Sequence, residues 1–190
     1  ERVDQPGPAG RARFGAFLLA VEAVGREAAA KRRRDQRLGL AVGYGHRVAI
    51  IQFIKGSWHY GELDGIRRLA PEVSLEALGK GFVGILDDKL PREEHVAAAR
   101  ATLEEAQRVI QSARHQIVIL DEVNVALQLG LLGTSEVVEV VKHRPAAMHV
   151  VCTGRGAPPE LVELADLVTE MREIKHPFQK GLKAQRGFDF

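Results

Sequence analysis

The stretch Gln-Ile-Val-Ile-Leu-Asp-Glu, residues 116–122, decides the fold class of this 190-residue chain. Four consecutive apolar residues without polar alternation are typical of a parallel strand that helices cover on both faces. Val48–Ile51, within a predicted strand at Val48–Phe53, shows a similar apolar pattern. Between these strands, Pro91 marks the start of a helix whose apolar residues recur every three or four positions. This alternation predicts an α/β protein with a mostly parallel sheet flanked by helices.

The other predicted elements continue the alternation along the chain. They are strands at Val73–Leu78, Gln116–Asp121, His149–Thr153 and Leu167–Met171, and helices at Thr134–His143 and Pro159–Ala165. No internal repeat or low-complexity linker interrupts them. We therefore expect one α/β domain over residues 41–190, preceded by an atypical segment over residues 1–40.

Composition excludes several classes of protein. With 45% hydrophobic residues, the chain can bury a substantial core and is not disordered throughout. Cys152 is the only cysteine, which rules out an intramolecular disulfide framework and a multi-cysteine zinc site. No apolar run approaches the roughly 18–20 residues that span a bilayer, and the start shows no secretory signal pattern. A cytoplasmic protein without membrane partners is the expectation.

The formal charge of +2 hides a basic excess in residues 1–40, which hold nine Lys or Arg against five Asp or Glu. The run Lys31–Arg34 could contact nucleic acid or phosphate by charge alone. No aromatic residue interleaves with this run to stack on bases, which favours a solvated tail and disfavours a nucleic-acid partner. An amphipathic helix over Ala16–Ala30 is a second interpretation of the segment.

Two carboxylates, Asp121 and Glu122, end the predicted central strand. In open parallel sheets the carboxyl ends of the strands border the ligand crevice, and paired carboxylates there suit Mg²⁺ bound to phosphate oxygens. The structural alternative is that Glu122 caps the following helix while Asp121 is merely solvated. The spacing alone does not separate the two interpretations.

Two further strand ends carry candidate ligand groups. Thr153-Gly154-Arg155-Gly156 offers glycines for close backbone approach and an Arg for an anion, although a plain strand-to-helix turn uses the same residue types. Lys55 follows Val48–Phe53 and is either a solvated strand-end cation or a ligand contact. The histidines His46, His95, His143 and His176 show no metal-ligand spacing and are expected at the surface.

Several sequence words between Ala41 and Phe190 together resemble the ATP:corrinoid adenosyltransferase family nearly end to end. They include Ala-Val-Gly-Tyr-Gly, Gln-Phe-Ile-Lys-Gly, Gly-Lys-Gly-Phe, Leu-Asp-Glu-Val-Asn, Thr-Gly-Arg-Gly-Ala-Pro-Pro-Glu-Leu, Lys-His-Pro-Phe and Lys-Ala-Gln-Arg-Gly. The resemblance implies a P-loop NTPase-like (RecA-like) fold, ATP and Mg²⁺, and a reduced corrinoid as substrate. It also implies a homodimer and a reductase that supplies cobalt(I).

The resemblance further implies the reaction and the roles of the residues. Cobalt(I) attacks the ribose 5′ carbon of ATP and releases triphosphate, so the protein supplies no nucleophile and no catalytic residue is assigned. Asp121 and Glu122 would serve Mg²⁺, while Lys55 and the residues Thr153, Gly154, Arg155 and Gly156 would lie near the nucleotide. Phe82 would face the corrinoid, although Gly84 stands where many members have Trp.

Upstream of Ala41 the chain departs from the family pattern. The family places a Gly-x-x-x-x-Gly-Lys-Thr phosphate loop there, and residues 1–40 contain no such sequence. The N-terminal strand and the phosphate loop are therefore expected to be absent or altered. The neighbouring reading frame over Ala30–Arg33 permits Gly-Lys-Thr-Thr, so a frame break and real divergence both stay open.

Three functional hypotheses follow from this departure. The first is an ATP:corrinoid adenosyltransferase. The second is a non-catalytic, corrinoid-binding relative that has lost productive ATP binding, and the missing loop is the feature that separates it from the first. The third is a basic-tailed NTPase-like domain associated with nucleic acid.

Overall fold

The computed structural model describes residues 16–22, 38–55, 61–81, 90–172, 174–175 and 180–183. These ranges contain a six-stranded sheet in which all paired strands run parallel, in the order β3-β2-β4-β5-β1-β6. The strands are β1 (Phe17–Glu22), β2 (Val48–Gln52), β3 (Val73–Ala77), β4 (Ile117–Asp121), β5 (His149–Arg155) and β6 (Leu167–Met171). The predicted parallel sheet is confirmed.

Helices connect the strands. They are α1, which includes residues 38–43, α2 (Gly61–Arg67), α3 (Arg92–Gln111), α4 (Val123–Gln128), α5 (Thr134–Lys142) and α6 (Pro159–Leu164). Helix α3 begins after Pro91, as predicted. Two acidic residues in its first turn stabilise the helix by their attraction to the positive end of its dipole. Its apolar face includes the buried residues Ala99, Ala106 and Ile110.

Two hydrophobic clusters cover the two faces of the sheet. Ile51 and Leu120 belong to one cluster, together with buried residues of α3, α4, α5 and α6. Ile50 and Ile119 belong to the other, which includes Leu38 of α1. Because neighbouring residues of a strand point to opposite faces, β2 and β4 contribute to both clusters. The expectation that these strands are covered on both faces is confirmed.

Strand β1 corrects two expectations about the N-terminal segment. A strand is present at Phe17–Glu22, where we expected the N-terminal strand to be absent or altered, and the same residues are not part of a helix over Ala16–Ala30. The strand lies between β5 and β6 and pairs with both. Phe17 and Leu19 are buried in the core, so the apolar run gains more as a strand inside the sheet than as a surface helix. The basic run Lys31–Arg34 lies outside the described residues.

Strand β5 runs two residues further than predicted, to Arg155. The extension follows from β1, because Gly154 and Arg155 pair with the last two residues of β1. Within the described ranges, no helix combines the length and apolar character needed to cross a membrane.

The histidine expectation is wrong for one residue. His95 lies on α3 and is buried, whereas His143 is exposed and His46 is partly buried. A histidine in the first turn of an amphipathic helix can rotate onto the core face, which spacing between histidines does not reveal. His176 lies outside the described residues.

Candidate functional site

Polar side chains from three neighbouring strands meet at the carboxyl edge of the sheet. Asp121 ends β4, and its Oδ2 accepts a hydrogen bond of 2.9 Å from Nε2 of Gln52, which ends β2. Its Oδ1 accepts a second hydrogen bond, of 3.0 Å, from the hydroxyl of Thr153 on β5. All three side chains are buried. Neighbours on both sides therefore hold the Asp121 carboxylate in one orientation.

The Thr153 hydroxyl also binds the residue after Asp121. Its oxygen accepts a 3.0 Å hydrogen bond from the backbone N–H of Glu122 while its proton goes to Asp121. The same hydroxyl thus donates one hydrogen bond and accepts another. The junction between β4 and α4 is thereby joined to β5.

Glu122 adopts a left-handed backbone conformation, with φ 63° and ψ 19°. For a residue other than glycine this conformation costs about 1–2 kcal/mol, and such strain concentrates at functional sites. Glu122 stands at the N-cap position of α4 but makes no side-chain capping hydrogen bond. It is 5% exposed and Asp121 is 3% exposed, so neither part of the structural alternative, a capping Glu122 and a solvated Asp121, matches the structure.

The glycines that follow Thr153 allow close packing against α4. Gly154 has φ +117°, and a Cβ there would lie 3.1 Å from the backbone nitrogen of Val125. Gly156 has φ +67°, and its Cβ would lie 2.9 Å from Cδ of Gln128. Asn124 adds a direct link, because its Nδ2 donates a 3.1 Å hydrogen bond to the Gly154 carbonyl oxygen. The structure thus brings the two predicted motifs together along α4.

Lys55 lies just beyond β2, at the same edge of the sheet. Its Nζ is 2.9 Å from Oε2 of Glu62 on α2, and both side chains are largely shielded from solvent, at 15% and 18% exposure. The solvated interpretation of Lys55 is therefore wrong, because its ammonium group forms a partly buried ion pair. Phe82, the predicted corrinoid contact, lies outside the described residues.

The acid pair fits a magnesium ion that phosphate and water also coordinate. Within the described ranges, no three or more His, Cys, Asp or Glu side chains are grouped to hold a metal by themselves. Mg²⁺ commonly takes only one or two carboxylates together with substrate phosphates and waters. Hydrogen bonds from Gln52 and Thr153 fix the orientation of the Asp121 carboxylate at the carboxyl edge of the sheet. The donor set is suitable for such a shared site.

Cys152 precedes Thr153 on β5 and takes no chemical part in the site. It is completely buried, and burial raises the pKa of its thiol well above the ordinary value. The thiol stays protonated near neutral pH, which makes it a poor nucleophile and a poor metal ligand.

Two residues of the site were not predicted, Gln52 and Asn124. Both are fully buried polar side chains. The available signal was position: Gln52 is the first polar residue after the apolar run of β2, and Asn124 follows the acid pair by two residues. A polar side chain at the end of a buried strand needs a hydrogen-bond partner, which points to a neighbouring strand end.

One cavity among the described residues lies apart from this cluster. A cavity of about 540 Å³ opens between α5 and α6, where Ser135, Glu139 and Glu163 contribute to its lining. None of its lining residues belongs to the hydrogen-bonded cluster around Asp121. The chemistry of the cluster, and not the size of a cavity, identifies the candidate site.

The fold is shared with a protein of known structure. The structure is similar to that of the KaiC-like protein PH0186 from Pyrococcus horikoshii OT3, with a TM-score of 0.50 and 13% sequence identity, over 85% of this chain and 75% of that chain. The predicted α/β fold, with a mostly parallel sheet flanked by helices, is confirmed.

Sequence comparisons give the family. The family described as ATP:corrinoid adenosyltransferase BtuR/CobO/CobP matches residues 37–190. A corrinoid adenosyltransferase of Pseudomonas aeruginosa is 42% identical over 150 residues, which are 79% of this chain and 72% of the relative. One from Escherichia coli K12 is 38% identical over 151 residues, or 79% and 74% of the two chains. Because the family model covers most of this chain and these relatives are about 40% identical over more than two thirds of both chains, the chain belongs to the ATP:corrinoid adenosyltransferase family.

Proposed function

We propose that this chain transfers the 5′-deoxyadenosyl group of ATP to the cobalt of a reduced corrinoid and releases triphosphate. The observation that carries the proposal is the position of the acid pair Asp121 and Glu122 in a chain of this family. The Thr153 hydroxyl donates to the Asp121 carboxylate and accepts from the Glu122 backbone N–H, which places the pair beside the end of β5. The relatives from P. aeruginosa and E. coli are named corrinoid adenosyltransferases, and none of these names favours a non-catalytic corrinoid-binding protein.

In this reaction the protein has to position the substrates and does not have to transfer a proton. The electron pair of cobalt(I) forms the cobalt–carbon bond. The bond between the 5′ carbon and its oxygen breaks, and the electron pair of that bond stays on the triphosphate oxygen. No proton moves in this exchange. The residues therefore need only hold the 5′ carbon in line with the metal and stabilise the charge on the leaving group.

Each part of the site has a proposed task. Asp121 and Glu122 would hold Mg²⁺, which when bound neutralises charge on the triphosphate oxygens. The Gly154 and Gly156 backbone would approach the nucleotide closely, and the Arg155 guanidinium would contact a phosphate. Because Gln52 and Thr153 fix the Asp121 carboxylate, the site is organised before ATP arrives.

The sequence after β1 supports a weakened phosphate loop. Gly25 and Lys31 have the separation of the first glycine and the lysine in Gly-x-x-x-x-Gly-Lys-Thr, but Ala30 and Arg32 replace the second glycine and the threonine. The threonine hydroxyl, a magnesium ligand in such loops, is lost. We infer that ATP binding is weak in this chain, because each lost charge-assisted hydrogen bond removes about 1.5–3 kcal/mol.

The decisive experiment restores the motif by two substitutions, Ala30→Gly together with Arg32→Thr. Calorimetric titration with Mg-ATP should show at least a tenfold lower dissociation constant for the double variant, equivalent to about 1.4 kcal/mol. With chemically reduced corrinoid, adenosylated product and triphosphate should then form in equal amounts. Absence of product from both proteins, with folding intact, would refute the proposed activity.

The acid pair is tested in the restored double variant. Asp121→Asn and Glu122→Gln should each lower the rate of adenosylation by about 10²-fold if the metal-held triphosphate stabilises the transition state. Glu160→Gln is the matched control, since Glu160 is an exposed carboxylate on α6. Rates near the parent value in both acid variants would return the pair to a structural role.

The remaining family features are proposals of the same kind. We infer that the chain forms a homodimer, receives cobalt(I) from a reductase, and packs Phe82 against the corrinoid. Sedimentation analysis tests the first of these. For the last, the cobalt(II) absorption spectrum should shift when the chain binds a corrinoid, and Phe82→Ala should diminish the shift because a large ring excludes water from the metal face.

A further inference from the structure

Asn124 occupies a buried position from which its amide reaches across to the neighbouring strand end. It is the second residue of α4 and is 0% exposed. Its Nδ2 donates to the Gly154 carbonyl oxygen at 3.1 Å. Since a carbonyl oxygen only accepts, the amide must present its NH₂ group to Gly154, and its Oδ1 points away. That Oδ1 is buried and has no hydrogen-bond partner among the described residues.

Stability does not explain this amide. One half of the side chain is bonded, whereas the other half is an acceptor that has lost water without gaining a partner. A partly satisfied buried polar group is less favourable than an apolar group of the same shape. Leucine, which has nearly the same shape, would avoid the unpaired acceptor. The one thing it could not replace is the hydrogen bond to Gly154.

That hydrogen bond acts at the end of β5, where two glycines have no side chains of their own to anchor the backbone to α4. Gly154 and Gly156 both have positive φ values and lack side chains that could anchor them. The Thr153 hydroxyl ties β5 to the acid pair on one side of Gly154. Asn124, on the helix that starts directly after Glu122, adds a second link through its hydrogen bond to the Gly154 carbonyl oxygen. Without it, the Thr153 hydroxyl would be the remaining side-chain link described between this segment and the acid pair, while pairing of Gly154 and Arg155 with β1 would hold the segment from the other side.

We infer that Asn124 is a positioning residue that holds the Gly154–Gly156 turn at a fixed distance from the Asp121 and Glu122 carboxylates. The inference rests on the proposed function, in which the triphosphate and its metal are received between these two sides. Asn124 touches no reacting atom in this arrangement. Its effect is to keep the turn ordered before the nucleotide binds, so that binding does not lose free energy in ordering the turn.

The test compares Asn124→Leu and Asn124→Asp with Thr102→Val in the restored double variant. Leu keeps the volume and removes both polar atoms, while Asp keeps the shape and removes the NH₂ donor. Thr102 is the matched control, because its buried hydroxyl also bonds a backbone carbonyl, that of Ala98 at 2.8 Å, on α3. Three quantities are measured for each variant: hydrogen exchange of the Arg155 and Gly156 amides, the melting temperature, and the dissociation constant of Mg-ATP.

Both Asn124 variants should speed exchange at Arg155 and Gly156 by about tenfold or more, without faster exchange in β2 or β4. The Leu variant should melt at or above the parent temperature, and the dissociation constant of Mg-ATP should rise about tenfold. Thr102→Val should lower the melting temperature and leave both other readouts unchanged.

Unchanged exchange at the turn in both variants would overturn the inference. A Leu variant that unfolds, or that exchanges faster throughout the sheet, would assign Asn124 a structural role and overturn it as well. If the parent double variant binds no Mg-ATP, the proposed function fails instead. The exchange measurement needs no nucleotide, so it still decides whether Asn124 positions the turn.

Discussion

Replacing Thr153 by Val should destabilise the protein more than its small change in shape suggests. The two side chains have nearly the same volume, so the substitution leaves no cavity. It removes a hydroxyl that donates to the Asp121 carboxylate and accepts from the Glu122 N–H, both at 3.0 Å. Because these partners are buried, water cannot replace the hydroxyl. The Val variant therefore leaves a carboxylate oxygen and a backbone N–H poorly satisfied.

The magnitude follows from the two hydrogen bonds. A bond to a charged group contributes about 1.5–3 kcal/mol and a neutral one about 1 kcal/mol, so the free energy of unfolding should fall by about 2–4 kcal/mol. Thr153→Ser is the matched control, since it keeps the hydroxyl and loses one buried methyl group, worth about 1 kcal/mol. Val should therefore be the more damaging of the two substitutions, although it is the more similar in shape.

Urea unfolding followed by circular dichroism measures both variants. With a slope of about 2 kcal/mol/M, the midpoint of Thr153→Val should fall by about 1–2 M and that of Thr153→Ser by about 0.5 M. The slopes should match that of the parent. A Val variant as stable as the parent, or a Ser variant less stable than the Val variant, would show that the hydroxyl does not hold the strand ends together.

Three further predictions concern other positions. Gly154→Ala should lower the free energy of unfolding by about 1–3 kcal/mol, because its φ is +117°, whereas Gly65→Ala, in open space on α2, should be neutral or stabilising in the same denaturation assay. The Cys152 thiol should react with a thiol reagent only after unfolding, because burial raises its pKa and blocks access, and the reaction rate in urea should follow the unfolded fraction. Burial, and after it two nearby arginines, lower the pKa of His115 in the folded protein. The unfolded chain then binds the proton more readily, so the free energy of unfolding should fall as pH drops below about 6.5. The melting temperature of His115→Gln should therefore depend less on pH between about pH 7.5 and 5 than that of the parent.

Local pattern was sufficient to predict most of the sheet. The residues of β4 are apolar on both sides of the strand, and Leu167–Met171 has the predicted bounds. Helix α3 starts after Pro91 as its first-turn residues indicate. These elements carry their own signal, because burial on both faces or on one helical stripe leaves a period in the sequence.

Strand β1 carries no such signal. Six residues with mixed helix and strand propensity satisfy either structure, and the neighbours that favour a strand, β5 and β6, lie more than a hundred positions further along the chain. The site shows the same division. The sequence indicates Asp121 and Glu122 because acids end an apolar strand, but only the strand order shows that Gln52 and Thr153 are their partners.

The position of β1 also determines when the protein can finish folding during synthesis. The strand emerges from the ribosome before the other described strands, yet its partners β5 and β6 end at Arg155 and Met171. The backbone N–H of Phe17 even pairs with the Asp166 side chain, 149 residues away along the chain. In a nascent chain, the apolar β1 segment has to stay unpaired until both β5 and β6 have been made, which requires nearly all of the described sheet. Contacts of such long range slow folding and expose the chain to aggregation, so a pause in translation before residue 171 should leave a species that depends on chaperones.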